Sequence, residues 1–149
     1  MTTEQKHFPD DEIIRLMHDA GLRLSAHRMA IMSLVYNNTL HPSAEMVYQK
    51  LKPTYATLSR ATVYNSLHAL AEKGLLRMID VGNGTMHYDS AASTAHAHFI
   101  CRACGRIVDV PLSLTQRVMP EGYSVDAVEV SYKGICPDCN KKCNTKLIN

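Results

Sequence analysis

The 149-residue sequence predicts an α+β chain: a helical N-terminal part closed by a β-hairpin, then a small αβ part. Three observations carry that expectation. Apolar residues at helical spacing, each run preceded by a capping residue, fill residues 10–74. Gly82-Asn83-Gly84 joins two short apolar or alternating runs, as in a hairpin turn that accepts positive φ. Beyond residue 90 the pattern changes to short strands and two Cys-x-x-Cys pairs, so the domains are expected at 1–89 and 90–149.

The helices follow in order. Asp10 or Asp11 can cap "EIIRLMHDA", where Ile13, Leu16, Met17 and Ala20 recur before Gly21 stops the run. Ser25 can cap "AHRMAIMSLVYNN", whose Met29, Met32, Leu34 and Val35 read as core. Ser43, after a proline, opens "AEMVYQKLK". Ser59 can cap a helix over 59–73, with Ala61, Tyr64, Leu67, Leu70 and Ala71 on one face and Gly74 as the stop. "LLRMIDVGNGTMHYD" then supplies the hairpin.

Helices followed by a hairpin make the element order of a winged helix-turn-helix, with 59–73 as the recognition helix. Arg60, Thr62, Tyr64 and Asn65 in its first turns suit phosphates and base edges in a major groove, Arg60 on phosphate and Tyr64 on a base edge or methyl. A helical domain with a protein partner shares this pattern. The net charge of +2 does not by itself point to nucleic acid, but its distribution is uneven. Between Gly21 and His68 the bases Arg23, Arg28, Lys50, Lys52 and Arg60 face one acid, Glu45.

Residues 90–149 carry the chemistry, with a short helix expected around "LSLTQRV". In "HAHFIC" the period of two puts His96, His98 and Ile100 on one face and Phe99 and Cys101 on the other, so histidines and cysteines belong to two sites. Cys101-x-x-Cys104 and Cys136-x-x-Cys139 read as a tetrathiolate Zn2+ site, since each loop grips one edge of a tetrahedron. A redox "CPDC" would leave Cys101 and Cys104 without a role, and a zinc deaminase would need His-x-Glu where the chain has His96-Ala97-His98. Cys143 stands apart. On the histidine side, Asp109 in "RIVDV", Asp89 at the end of the hairpin and His41 in "TLHPSAEMVY" are candidate partners for a harder metal.

The N-terminus has acids where an export signal needs a basic flank and an apolar run, and no apolar run approaches a bilayer span. A cytoplasmic protein without membrane attachment is the expectation, and a reducing compartment favours metal over disulfides.

"HPSAEMVY", "SRATVYNSLHALAEKGLL", "MHYD", "HAHFICRACGRIVDV" and "CPDC", in that order over nearly the whole chain, resemble the ferric uptake regulator family of metal-dependent bacterial repressors, and most closely its peroxide-sensing branch. The resemblance implies a winged-helix DNA-binding domain, a dimerisation domain with structural zinc, and a homodimer on double-stranded operator DNA. His41, Asp89, His96, His98 and Asp109 match that branch's sensing ligands for Fe2+ or Mn2+, with His41 and His96 as the oxidation-sensitive pair; iron-sensing members more often carry glutamate at the two aspartate positions. The family's usual Thr-Pro-Gln-Arg before the second helix is here Ser25-Ala26-His27-Arg28, and Arg60 stands where an apolar residue is common. Ala95, Ala97 and the absence of histidine after His98 imply that a further metal site of some members is missing. The segment from Leu112 to Tyr123 looks shorter than in familiar members. Two alternatives stand beside this reading: an iron- or manganese-responsive uptake repressor without peroxide sensing, and a metalloenzyme using the His/Asp cluster. The chain shows no dedicated general base or nucleophile for the latter.

Overall fold

A computed structural model describes residues 7–93, 95–112 and 119–145, except for the side chains of 143–145. The chain divides into two units, Met1–Ser93 and Thr94–Asn149. The boundary falls four residues beyond the expected one because the hairpin continues to Ser90 and the Ala91 N–H donates to the Leu75 carbonyl.

The first unit contains helices α1 (Asp10–Asp19), α2 (Ala26–Tyr36), α3 (Ala44–Leu51) and α4 (Arg60–Glu72), then strands β1 (Leu76–Asp80) and β2 (Met86–Ser90). Serine side chains cap three of the helices as expected. Ser25, Ser43 and Ser59 accept hydrogen bonds from the N–H groups of Arg28, Met46 and Thr62. The first helix departs from expectation, because Pro9 occupies the N-cap and no side chain caps the helix. Asp10, Asp11 and Glu12 lie inside the first turn, where their charges favour the helix dipole without filling the cap. Gly21 at φ 70 closes the helix, and the Leu22 N–H reaches back to the Met17 carbonyl.

Ile13, Met17, Ile31, Met32, Val35, Val47, Val63, Leu67 and Leu70 form the centre of this unit's core. On α4 the buried residues are Val63, Ser66, Leu67 and Leu70, whereas Ala61 and Tyr64 are exposed. The expected face is therefore turned by one position at its N-terminal end, since Val63, Ser66, Leu67 and Leu70 complete the i, i+3, i+4, i+7 stripe. Leu67 has no solvent exposure. Leu67→Ala is expected to destabilise the unit by about 2–5 kcal/mol in urea denaturation. A loss well under about 1 kcal/mol would mean that the core is not organised around α4.

Strands β1 and β2 pair antiparallel from Leu76↔Ser90 to Asp80↔Met86. Gly82 and Gly84 take φ 85 and 81 between them, and Asp80 and Asn83 side chains accept N–H bonds from Gly82 and Thr85.

The second unit holds β3 (His96–Cys101), β4 (Ile107–Pro111), β5 (Ser131–Gly134) and α5 (Pro137–Thr145). The sheet order is β4-β3-β5, antiparallel between β3 and β4 and parallel between β3 and β5. The helix expected around "LSLTQRV" lies mostly outside the described residues. Helix α5 has no counterpart among the expected elements, although Pro137 at its first position and Asp138 beside it are ordinary start signals. No helix among the described residues is long and apolar enough to cross a membrane.

Candidate metal centres and nucleic-acid face

Two cysteine pairs converge because β3 and β5 run parallel. Their C-terminal ends therefore lie side by side, with Cys101 opposite Gly134, and each strand feeds directly into a Cys-x-x-Cys loop. Gly105 at φ 72 turns the chain after Cys104, while α5 carries Cys139 one turn beyond Cys136. The sulfurs of Cys101, Cys104, Cys136 and Cys139 all lie within 4.8 Å of one another, and Cys104 and Cys136 are 3.8 Å apart. At a zinc–sulfur distance of about 2.3 Å, the edge of a tetrahedron is ~3.8 Å, so the four thiolates fit one zinc ion.

The electrostatics of the cluster point the same way. The Cys136 N–H donates to the Cys101 sulfur at 3.3 Å and pulls that thiol down to about 6. Hydrogen bonding to the Cys136 and Cys104 sulfurs, with burial added, holds Cys139 up to about 12. A divalent cation held among the four sulfurs would favour the thiolate at every one of them. Arg106, which has no signal in the sequence pattern, forms a 2.8 Å ion pair with Asp138 that joins the residue before β4 to the start of α5 beside the cluster.

On the other side of β3, His98 stands directly opposite Asp109 of β4. His96 Nε2 lies 2.9 Å from His98 Nε2, and the Asp109 carboxylate lies 3.4 Å and 3.7 Å from the two. This cluster offers two nitrogens and an oxygen and no sulfur. Period-two alternation explains the separation: Cys101 leaves the strand on the opposite face. His98 is buried and Asp109 is exposed.

The first unit contains a second nitrogen–oxygen pair. His41 is buried, at 1% exposure, and its Nδ1 lies 3.4 Å from the buried Asp89 carboxylate. Its φ of 46 is in the left-handed region, an uncommon conformation outside glycine that the surroundings must hold in place. Three neighbours do so: His87 Nδ1 donates to the His41 carbonyl at 2.6 Å, Tyr88 N–H donates to the Pro42 carbonyl, and Ser43 bridges to His87. Asp89 in turn accepts the Ser90 N–H at 2.8 Å. His87 is a site residue that sequence reasoning misses; "MHYD" places it two residues from Asp89, but nothing in one dimension places it on His41.

The basic patch is less open than composition implies. Arg60 forms a bidentate ion pair with Glu45, 2.9 Å on both bonds. Arg28 is half-buried and donates to the Arg23 carbonyl, and Lys52 donates to the Ala56 and Leu58 carbonyls. Thr62 Oγ1 is 2.8 Å from Ser59 Oγ at the start of α4. Tyr64, 54% exposed, and Asn65 project from that helix into solvent.

Comparisons with known proteins agree with this architecture. Residues 19–133 match the model of the ferric uptake regulator family. The chain is 32% identical over 138 residues to the peroxide operon regulator of Bacillus subtilis, covering 89% of this chain and 94% of that protein. It is 33% identical over 129 residues to the transcriptional regulator FurA of Mycobacterium tuberculosis, covering 83% and 87%. The structure of the Helicobacter pylori ferric uptake regulator superposes with a TM-score of 0.72 at 20% identity, over 91% of this chain and 96% of that one, and so shares the fold. The α+β architecture is that of a winged-helix DNA-binding domain followed by a dimerisation domain, and the metalloenzyme alternative falls away. This chain belongs to the ferric uptake regulator family, whose members are metal-responsive transcription regulators and not enzymes.

Proposed function

We propose that the protein is a homodimeric, cytoplasmic repressor that binds double-stranded operator DNA when a regulatory metal is bound, and that it senses peroxide through oxidation of its own ligand histidines. The observation that carries this reading is a sulfur-free His/Asp cluster on one face of β3, with a four-cysteine cluster on the other. Soft thiolates suit a structural zinc, whereas imidazoles and carboxylates suit Fe2+ or Mn2+. The likeness to the Bacillus subtilis peroxide operon regulator supports the same reading.

In this proposal the four cysteines hold zinc, while His41, Asp89, His96, His98 and Asp109 serve one regulatory ion. His41 and Asp89 come from the first unit and the others from the second. A shared ion would restrict the relative orientation of the two units and favour the spacing of recognition helices that a two-fold operator demands. Arg28, Arg60, Thr62, Tyr64 and Asn65 are the proposed DNA contacts, and the exposure of Tyr64 on a helix whose opposite face is core supports its part.

His41, Asp89, His96, His98 and Asp109 would hold the ion through imidazole and carboxylate groups, and peroxide would have to approach the ion beside those side chains. Ferrous iron, when bound, supplies the reducing chemistry that activates peroxide beside the imidazoles. The net change is one oxygen inserted into a ring C–H of His41 or His96, with the other peroxide oxygen leaving as water. An oxidised ring is a poorer ligand, so operator release follows. The zinc-bound cysteines stay reduced.

Peptide mass spectrometry after peroxide treatment of the iron-loaded and manganese-loaded proteins tests this. A gain of one oxygen on the His41 or His96 peptide, in the iron form alone, is the expected result. Oxidation confined to methionines and cysteines would refute peroxide sensing and leave a repressor that answers to iron or manganese only.

A further inference from the structure

Arg60 is the first residue of α4, half-exposed, yet its guanidinium is fixed on two sides. Its Nε donates to Glu45 Oε2 and its Nη2 to Glu45 Oε1, both at 2.9 Å. Its guanidinium carbon Cζ lies over the Tyr48 ring, 4.3 Å from the centroid. The carboxylate is itself held, because Gln49 Nε2 donates to Oε1 at 2.7 Å. Glu45, Tyr48 and Gln49 all belong to α3, so one helix clamps an arginine that belongs to the next. Arg60 pulls the Glu45 carboxyl down to about 2, and the pair is therefore intact across the neutral range.

A side-on pair of this kind uses one edge of the guanidinium. The other edge, formed by Nη1 and the second Nη2 hydrogen, presents two parallel donors and takes no partner among the described residues. Two ligands in DNA match that edge: a phosphate and the O6/N7 edge of guanine. Charge separates them. Glu45 offsets the attraction that a phosphate contact exploits, because its negative charge beside the arginine also repels an incoming anion. A guanine edge is neutral and asks only for fixed, coplanar donors.

We propose that Arg60, held by Glu45 and seated over the Tyr48 ring, reads a guanine in the major groove of the operator, with Glu45 as its positioning residue. The proposal rests on the operator-binding reading above and replaces the phosphate contact expected from sequence. It also accounts for the choice of arginine over lysine, because a point charge cannot offer both edges at once.

The test is selection from a random duplex pool by the full-length, zinc-replete, Mn2+-loaded protein, followed by affinity measurements at several salt concentrations. Wild type is expected to enrich a two-fold sequence with one invariant guanine per half-site that Arg60→Lys and Arg60→Ala no longer select, losing roughly tenfold or more in preference at that position alone. Glu45→Gln should weaken the same preference while steepening the salt dependence, since an uncompensated arginine is free to find phosphate. If the arginine variants enrich the wild-type sequence and lose affinity equally for all duplexes, Arg60 is a phosphate ligand and the proposal is wrong. An unchanged selection by Glu45→Gln removes Glu45 from the role. Failure of wild type to enrich any sequence would overturn operator binding itself, and this proposal with it.

Discussion

Cys139→Ser is expected to release the zinc and unfold the C-terminal unit, a larger effect than any other single substitution in this chain should produce. Little else is available to hold that unit's described part together: its buried apolar residues are Ala97 and Ile100, besides Cys101 and Cys136. Structural zinc contributes apparent binding energy on the order of 10–16 kcal/mol in zinc-finger peptides, far more than so small a core supplies. Cys104→Ser should behave alike, because each Cys-x-x-Cys loop anchors the end of one parallel strand. Cys143→Ser should leave zinc and dimer intact. Metal analysis with size-exclusion chromatography decides the matter: a Cys139→Ser dimer that retains stoichiometric zinc would exclude the four-thiolate site.

The second large effect is expected at His41. If His41 is a regulatory ligand, His41→Ala should raise the Mn2+ concentration needed for operator binding by at least ~10–100-fold, the loss that even outer-shell partners of metal ligands cause. Zinc content and dimerisation should not change, since the four cysteines belong to the other unit. The alternative role for a buried histidine at positive φ is local packing, which predicts lost thermal stability of the first unit with a normal metal titration. An unshifted Mn2+ midpoint would remove His41 from the regulatory site. Substituting His87, which donates to the His41 carbonyl, should give a smaller shift in the same direction, because the ring would be oriented less firmly.

Much of this protein is determined by sequence alone, wherever the controlling interaction is local. Ser25, Ser43 and Ser59 cap their helices because a serine oxygen reaches an N–H three residues on. Gly82-Asn83-Gly84 turns because glycine accepts positive φ. Alternation along β3 separates histidines from cysteines because successive strand residues point to opposite faces. The paired cysteine spacing marks a candidate metal site because a two-residue loop fits one edge of a tetrahedron. Pro9 in place of Asp10 as the N-cap, and Val63 in place of Tyr64 on the buried stripe of α4, show the limit of such reasoning: neighbouring residues compete for one position, and packing chooses.

Tertiary structure decided what depends on segments far apart in the chain. The parallel pairing of β5 with β3, which brings Cys136 beside Cys101 across 35 residues, has no local signature. His87 meets the His41 carbonyl only once β2 has docked beside the segment preceding α3. Composition made Arg60 one cation of a basic patch; the fold placed Glu45 and Tyr48 against it and so determined which edge of the guanidinium remains open. In each case the energy lies in a contact whose partners have no fixed separation along the chain, so it comes into being only when the helices and strands pack.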